Sequence, residues 1–259
     1  MSRARTPLSA LTALVAGLVA LLVLAAGAPV ARLTPGTGAG ATVHWSDADP
    51  IGGATSTTVT SALYKFAAVV NGKPVRWNPC QTIYWQFRYT AAPASARTVV
   101  RAAVARVAQL TGTKWVEKGS TSALPASGWL PRSSDGIRPV LIGWTDAAHS
   151  DLLRNRPASV LGVTRTAYFG TTVAGISLAA TKAAVIALDR TDKLPLTGRV
   201  SWKTTLLHEL GHAMGLDHVG NTAELMYPVL GRSMTDFQAG DKAGLARLGR
   251  SAGCINLGF

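Results

Sequence analysis

The sequence predicts an α/β (α+β) single domain, and three observations predict it. From Leu63 onward about 195 residues carry regular apolar patterning, enough chain for one domain with a sizeable core. Within that stretch, segments that alternate apolar and polar side chains are interleaved with segments of helical period. Near the C-terminal end stands His208-Glu209-Leu210-Gly211-His212-Ala213-Met214-Gly215-Leu216-Asp217-His218, whose chemistry requires a helix followed by a bend.

The chain begins with Arg3 and Arg5, then an uncharged stretch from Leu8 to Ala31 with a dense apolar core at Leu11 to Ala26 and small residues at Ala25, Ala26, Gly27 and Ala28. This is the layout of a secretory signal peptide, expected over residues 1–28 with cleavage after Gly27. The apolar run approaches the length of a bilayer span, so an uncleaved membrane anchor is the alternative. Residues 29–62 are rich in Gly, Thr, Ala and Ser and poor in large apolar side chains, the composition of a flexible spacer or short propeptide. Asp47 and Asp49 read there as turn residues, and the folded domain is expected over residues 63–259.

Thr82 to Thr90 alternates and is rich in aromatic and β-branched residues, which predicts a first strand. Pro93 to Leu110 carries Val100, Ala103, Val104 and Val107 at helical spacing with arginines opposite and Gly112 just beyond, which predicts an amphipathic helix. Val140 to Trp144, Val160 to Phe169 and Ala183 to Leu188 are read as three further strands. A helix from Ser201 to Met214 follows. Thr235-x-x-Gln238 predicts the opening of a final helix through Leu248.

His208 and His212 lie one turn apart on one helix face, so both imidazoles can reach a single ion. Glu209 stands beside that face, where it can act on a water as general base. Gly215 suits a left-handed C-cap that would end the helix and swing His218 back toward the first two histidines. Three neutral histidines with a position left for water describe a catalytic zinc site. Asp217 precedes His218 and raises the question of which of the two binds.

This pattern, HExxHxxGxxH, resembles the metzincin zinc endopeptidases, and Leu225-Met226-Tyr227-Pro228, with Met226 eight residues beyond His218, resembles the Met-turn of their matrixin branch. The resemblance implies a mixed twisted sheet bearing an amphipathic helix, the zinc helix, the Met-turn and a C-terminal helix. It also implies one catalytic zinc, with Met226 as the apolar floor of the site. Tyr227, Pro228, Val229 and Leu230 would line the pocket for the side chain after the cleaved bond. Val160 to Phe169 would be the edge strand along which an extended substrate pairs. Leu230 and Val219 differ from the family's usual tyrosine and serine or threonine, which alters the pocket's shape and leaves the chemistry intact. Structural calcium is a family feature that no particular carboxylate here marks. His44 and His149 are read as surface residues.

Cys80 and Cys254 are the chain's two cysteines, and in an exported protein such a pair reads as a disulfide. The rival reading, Cys80 as a zinc-blocking switch like that of matrixin propeptides, fails because Asn78-Pro79-Cys80-Gln81 does not match such a switch. The formal charge is +13, which favours anionic partners. The basic residues are scattered, however, without the runs or aromatic interleaving of a nucleic-acid groove. The arginine-heavy, alanine-rich usage suits a secreted bacterial protein. The expected molecule is therefore a secreted, monomeric zinc endopeptidase acting on protein or peptide substrates, with no nucleic-acid partner and membrane contact only if the N-terminal segment stays attached. A catalytically silent cell-surface binding protein on the same scaffold is the alternative, although such a module has no need of Glu209.

Overall fold

The computed structural model describes residues 42–47, 63–131, 136–173, 176–230 and 234–256. The expected signal peptide, Asp49 and most of the expected spacer lie outside the described residues. Among the described residues, no helix is long and apolar enough to cross a membrane.

The first predicted strand is β5 (Ile83–Arg88), whose alternation buries Ile83, Trp85 and Phe87 and turns Tyr84, Gln86 and Arg88 outward. It pairs in parallel with β6 (Trp115–Ser120) on one side and β7 (Val140–Thr145) on the other. β7 is buried at all six positions because both of its faces are covered. Beyond it β9 (Ile176–Asp189) is parallel to β7, and β8 (Gly162–Val173) runs antiparallel to β9. β1 (Thr42–Asp47) closes the sheet, antiparallel to β8, giving the order β6-β5-β7-β9-β8-β1. The sheet is thus mixed, as expected. Short pairs form at β2 (Lys65–Phe66) with β10 (Leu216–Asp217), and at β3 (Val69–Val70) with β4 (Lys73–Pro74).

The two faces of the sheet carry separate cores. Ile83, Trp85, Phe87, Ile142, Trp144, Ile186 and Leu188 pack against α1 (Ala96–Thr111), α2 (Trp202–Met214) and α3 (Ala239–Leu248). On the opposite face Leu141, Val185, Ala187 and Val163 meet Leu130, Leu152, Leu153 and Val160. Adjacent residues of one strand serve different cores, which is the two-residue period made visible in packing.

Several expectations need correction. β6 went unread because Glu117, Lys118 and Gly119 break its apolar pattern, and an edge strand buries little. β8 and β9 are longer than the segments read as strands and form one hairpin, since Thr and Ala positions outside the apolar runs still pair across it. Residues 42–47, expected to be spacer, form β1. Its register sets Asp47 opposite Arg165 and Thr42 opposite Gly170, so Val160 to Phe169 is not a free edge: from Arg165 onward its outer side is taken. α1 begins at Ala96, later than Pro93, and ends at Gly112 as expected. α3 opens at Gln238 and not at Thr235, because Asp241 reaches back to accept the Gln238 N–H at 2.8 Å.

Cys80 and Cys254 are joined in a disulfide, Cα to Cα 5.4 Å, across 174 positions of sequence. On the chain-entropy model a loop of that size contributes about 5 kcal/mol at most, and Cys80 is not a switch. Arg76 donates to the carbonyls of Ala252 and Gly253, and Asn78 exchanges hydrogen bonds with Ile255. The C-terminal segment is thereby tied to the start of the domain on both sides of the bridge.

Candidate active site

α2 positions the site, and its ends are defined by local chemistry. At the N-terminus Ser201 accepts from the Thr204 N–H at 3.3 Å while Thr204 Oγ1 accepts from the Ser201 N–H at 3.0 Å, which satisfies two otherwise orphaned donors. At the C-terminus Trp77 Nε1 donates to the Ala213 carbonyl at 2.8 Å. Gly215 takes φ 115° and its N–H closes on the Gly211 and His212 carbonyls. A Cβ there would strain the backbone and stand 2.8 Å from the Val75 carbonyl oxygen. The chain turns directly into β10 and returns His218 to the helix.

His208, His212 and His218 converge. Their Nε2 atoms lie 2.9, 3.0 and 3.1 Å apart in the three pairings, and all three side chains are buried. The opposite nitrogens are committed: His208 Nδ1 donates to the Leu225 carbonyl at 2.6 Å and His212 Nδ1 to the Leu216 carbonyl at 2.9 Å. With the proton on Nδ1, each of these Nε2 atoms presents a lone pair. Lone pairs facing one another at this range repel unless a cation sits among them. Zn–N bonds of ~2.0–2.1 Å in tetrahedral array imply ~3.3 Å between ligand nitrogens, close to the spacing here, so these residues fit a zinc ion. Burial, reinforced by the neighbouring imidazoles, holds the His208 pKa well below its ordinary value and brings that of His218 down to about 2. Both rings are therefore neutral, the form a metal requires.

Asp217 is turned away from this cluster. It accepts the His218 N–H at 2.8 Å and pairs with Lys65 at 2.6 Å, so it shapes the bend that presents His218.

Glu209 is 1% exposed and its two carboxylate oxygens differ. Oε2 accepts from Thr164 Oγ1 of β8 at 2.6 Å, whereas Oε1 is buried with no hydrogen-bond partner among the described residues. Gly162 makes room for it: a Cβ at that position would lie 3.0 Å from Oε1. Burial pushes the carboxyl pKa up to about 8, opposed only by the Thr164 hydrogen bond. A dication at the adjacent imidazoles would act in the opposite sense and favour the ionised form.

Met226 packs beneath α2 at Gly211, where a Cβ would come 2.5 Å from its sulfur. The glycine inside the histidine motif is therefore what lets Met226 approach. Val219 N–H donates to the Met226 carbonyl at 3.1 Å, which sets the segment after His218 beside the turn. That turn is held from below by Asp241, which accepts the N–H groups of Leu225 and Met226 at 2.7 and 3.1 Å. Glu224 in turn accepts those of Gly240 and Asp241 at 3.1 and 2.9 Å. Tyr227 and Pro228 are half-buried, Val229 is exposed, and Leu230 is buried in the core against α2. Leu230 thus stands apart from the exposed Val229 beside it.

Sequence patterning singled out the histidines, Glu209 and Met226, of which the structure brings the three histidines together, and gave no part in the site to Thr164, Gly162, Gly211, Glu224 or Asp241. No motif links these to the site; they matter only through what they touch. His149 is exposed and paired with Asp146 at 2.6 Å, outside the cluster. His44 lies on β1, opposite Tyr168 in the strand register.

Residues 142–248, from β7 to the end of α3, match the family model of the matrixins. The chain is matrixin-like. The matched stretch contains α2, the three histidines and the turn at Met226, while β5, α1 and β6 precede it. No curated protein matches the chain. Matrixins are zinc-dependent, and the histidine cluster of this matrixin-like chain offers the three nitrogens such an ion needs.

Proposed function

We propose that this protein is a secreted zinc-dependent endopeptidase. The observation that carries the proposal is the pairing of three convergent histidine nitrogens with a neighbouring carboxylate oxygen that is buried and unbonded. Such an oxygen costs stability and does nothing for the fold, so its natural use is to accept a proton. When bound, zinc supplies Lewis-acid polarisation of a peptide carbonyl and makes water acidic enough to be deprotonated near neutral pH. His208, His212 and His218 hold the ion as neutral donors. Glu209 Oε1 takes the proton from the attacking water and passes it to the leaving amine. Met226 supports the helix from beneath, and Tyr227, Pro228, Val229 and Leu230 are assigned to the wall of the substrate pocket.

The peptide lies extended along β8, next to Gly162 and Thr164. From Arg165 to Gly170 it competes with β1 for the same backbone groups. Deletion of residues 29–62 should therefore raise kcat/KM on extended peptides, and an unchanged value would remove β1 from the account.

Export is supported by the N-terminal pattern and by the disulfide, since such bonds persist in oxidising compartments. Mass spectrometry of the exported protein, giving its N-terminus, tests that part. Incubating the metal-loaded protein with a peptide library, with and without chelator, tests the activity. Cleavage that survives complete removal of zinc would overturn the proposal.

A further inference from the structure

The seat of Glu209 lies on β8, not on the helix that carries the histidines. A Glu carboxylate turns about a terminal torsion with a broad, two-fold profile, so nothing in the HExxH pattern decides which oxygen faces the reactants. β8 decides it. Thr164 and Gly162 are two residues apart and share one face of the strand. Thr164 is 1% exposed, and its hydroxyl has a single proton with two acceptors in range, Glu209 Oε2 at 2.6 Å and the Glu209 carbonyl at 3.1 Å. The nearer oxygen, Oε2, makes the stronger bond. Gly162 faces the other oxygen, with Leu188 behind it: a Cβ would lie 3.0 Å from Oε1 and 3.1 Å from Leu188 Cδ2. One carboxylate oxygen is tied, and the other is left clear by a glycine where a Cβ would press on it.

We propose that Thr164 is the positioning residue for the general base: its hydroxyl tethers Glu209 Oε2 and thereby presents Oε1, uncovered by Gly162, as the oxygen that exchanges protons with the reactants. The inference rests on the assignment of Glu209 as base. It goes beyond that assignment by giving the two oxygens separate tasks and naming the residue that separates them. In this role the Thr164 hydroxyl, buried against Glu209, touches neither metal nor substrate and acts only through the carboxylate.

The test compares zinc-loaded wild type, Thr164→Val and Thr164→Ser on a peptide substrate. Loss of the hydroxyl in Thr164→Val should lower kcat about 10- to 100-fold with KM and zinc content unchanged, and Thr164→Ser should restore most of the rate. In a Glu209→Gln background, Thr164→Val should lower the residual rate no further, because the hydroxyl acts only through the carboxylate. Full kcat in Thr164→Val, or an equal fall in both backgrounds, would overturn the role. A readout independent of turnover separates this inference from the proposed function. The infrared carboxylate band of Glu209, taken as the difference between each Thr164 form and its own Glu209→Gln derivative, should shift in Thr164→Val and return in Thr164→Ser. An unshifted band refutes the tether even in an active protein, whereas a shifted band in a zinc-loaded but inactive protein upholds it and sinks only the catalytic assignment. Gly162→Ala serves if Thr164→Val does not fold: it should lower kcat by crowding Oε1, and wild-type kcat in that variant would count against the seat described.

Discussion

Two buried carboxylates, Glu209 on α2 and Asp241 on α3, share the same physical burden and resolve it differently. Each is essentially excluded from solvent, and burial raises each pKa, that of Glu209 to about 8 and that of Asp241 to about 6. Asp241 spends both oxygens on backbone N–H groups, from Leu225, Met226 and Gln238. Glu209 satisfies one oxygen and leaves the other without a partner among the described residues. The saturated carboxylate is scaffolding for the turn at Met226; the unsaturated one retains the capacity to react. Burial alone does not distinguish a catalytic acid from a structural one. What distinguishes them is how many of their lone pairs the fold consumes.

The largest effect that would break or sharpen this contrast is on turnover. Glu209→Gln should reduce kcat/KM by about 10²–10⁴-fold without loss of bound zinc. The melting temperature should not fall, since the bare oxygen makes no bond to lose. A marked drop in stability with activity retained would exchange the two roles. Asp241→Ala should do the reverse, destabilising by about 3 kcal/mol as buried N–H groups lose their acceptor. For a domain of this size that is a fall in melting temperature of roughly 6–12 °C, measurable by calorimetry.

A pH series separates the two further. The folded-state pKa of Asp241 lies above its ordinary value of 3.8, so the folded protein binds that proton more tightly than the unfolded chain does. Its stabilising contribution is complete below about pH 3.8 and is lost as pH rises toward about 6. Asp241→Asn should flatten the stability curve across that window relative to wild type, and an unchanged slope would show that the group does not titrate there. The smallest effect belongs to a third carboxylate, Asp217, which pairs with the exposed Lys65. Lys65→Ala should change stability by less than ~1 kcal/mol and leave zinc affinity untouched. A larger loss would mean that the bend at His218 depends on that ion pair.

Much of the site was legible because its parts are close in sequence. His208, Glu209 and His212 share one helix, a single glycine turns the chain, and Ser201 marks where the helix begins. The parallel half of the sheet was largely legible for a similar reason, since β5 and β7 announce themselves by alternation and by dense apolar runs. β6 was not, because Glu117, Lys118 and Gly119 interrupt an edge strand that buries little, and β1 was not, because it lies in a stretch whose composition reads as spacer. The start of α3 was misplaced because a threonine and a glutamine at the right spacing imitate a capping pair, while the group that caps the helix is Asp241.

The order of residues along the chain determined the histidine cluster, the carboxylate beside it and the bend that returns His218, since helical pitch and one left-handed glycine govern distances over a few turns. Only the tertiary structure decided that Thr164 and Gly162, some 45 positions upstream of Glu209, seat its carboxylate, that Gly211 admits Met226, and that β1 covers β8. Those relations depend on which surfaces meet when the sheet closes against α2. Side chains brought together by packing leave no spacing in the sequence from which their meeting could be read.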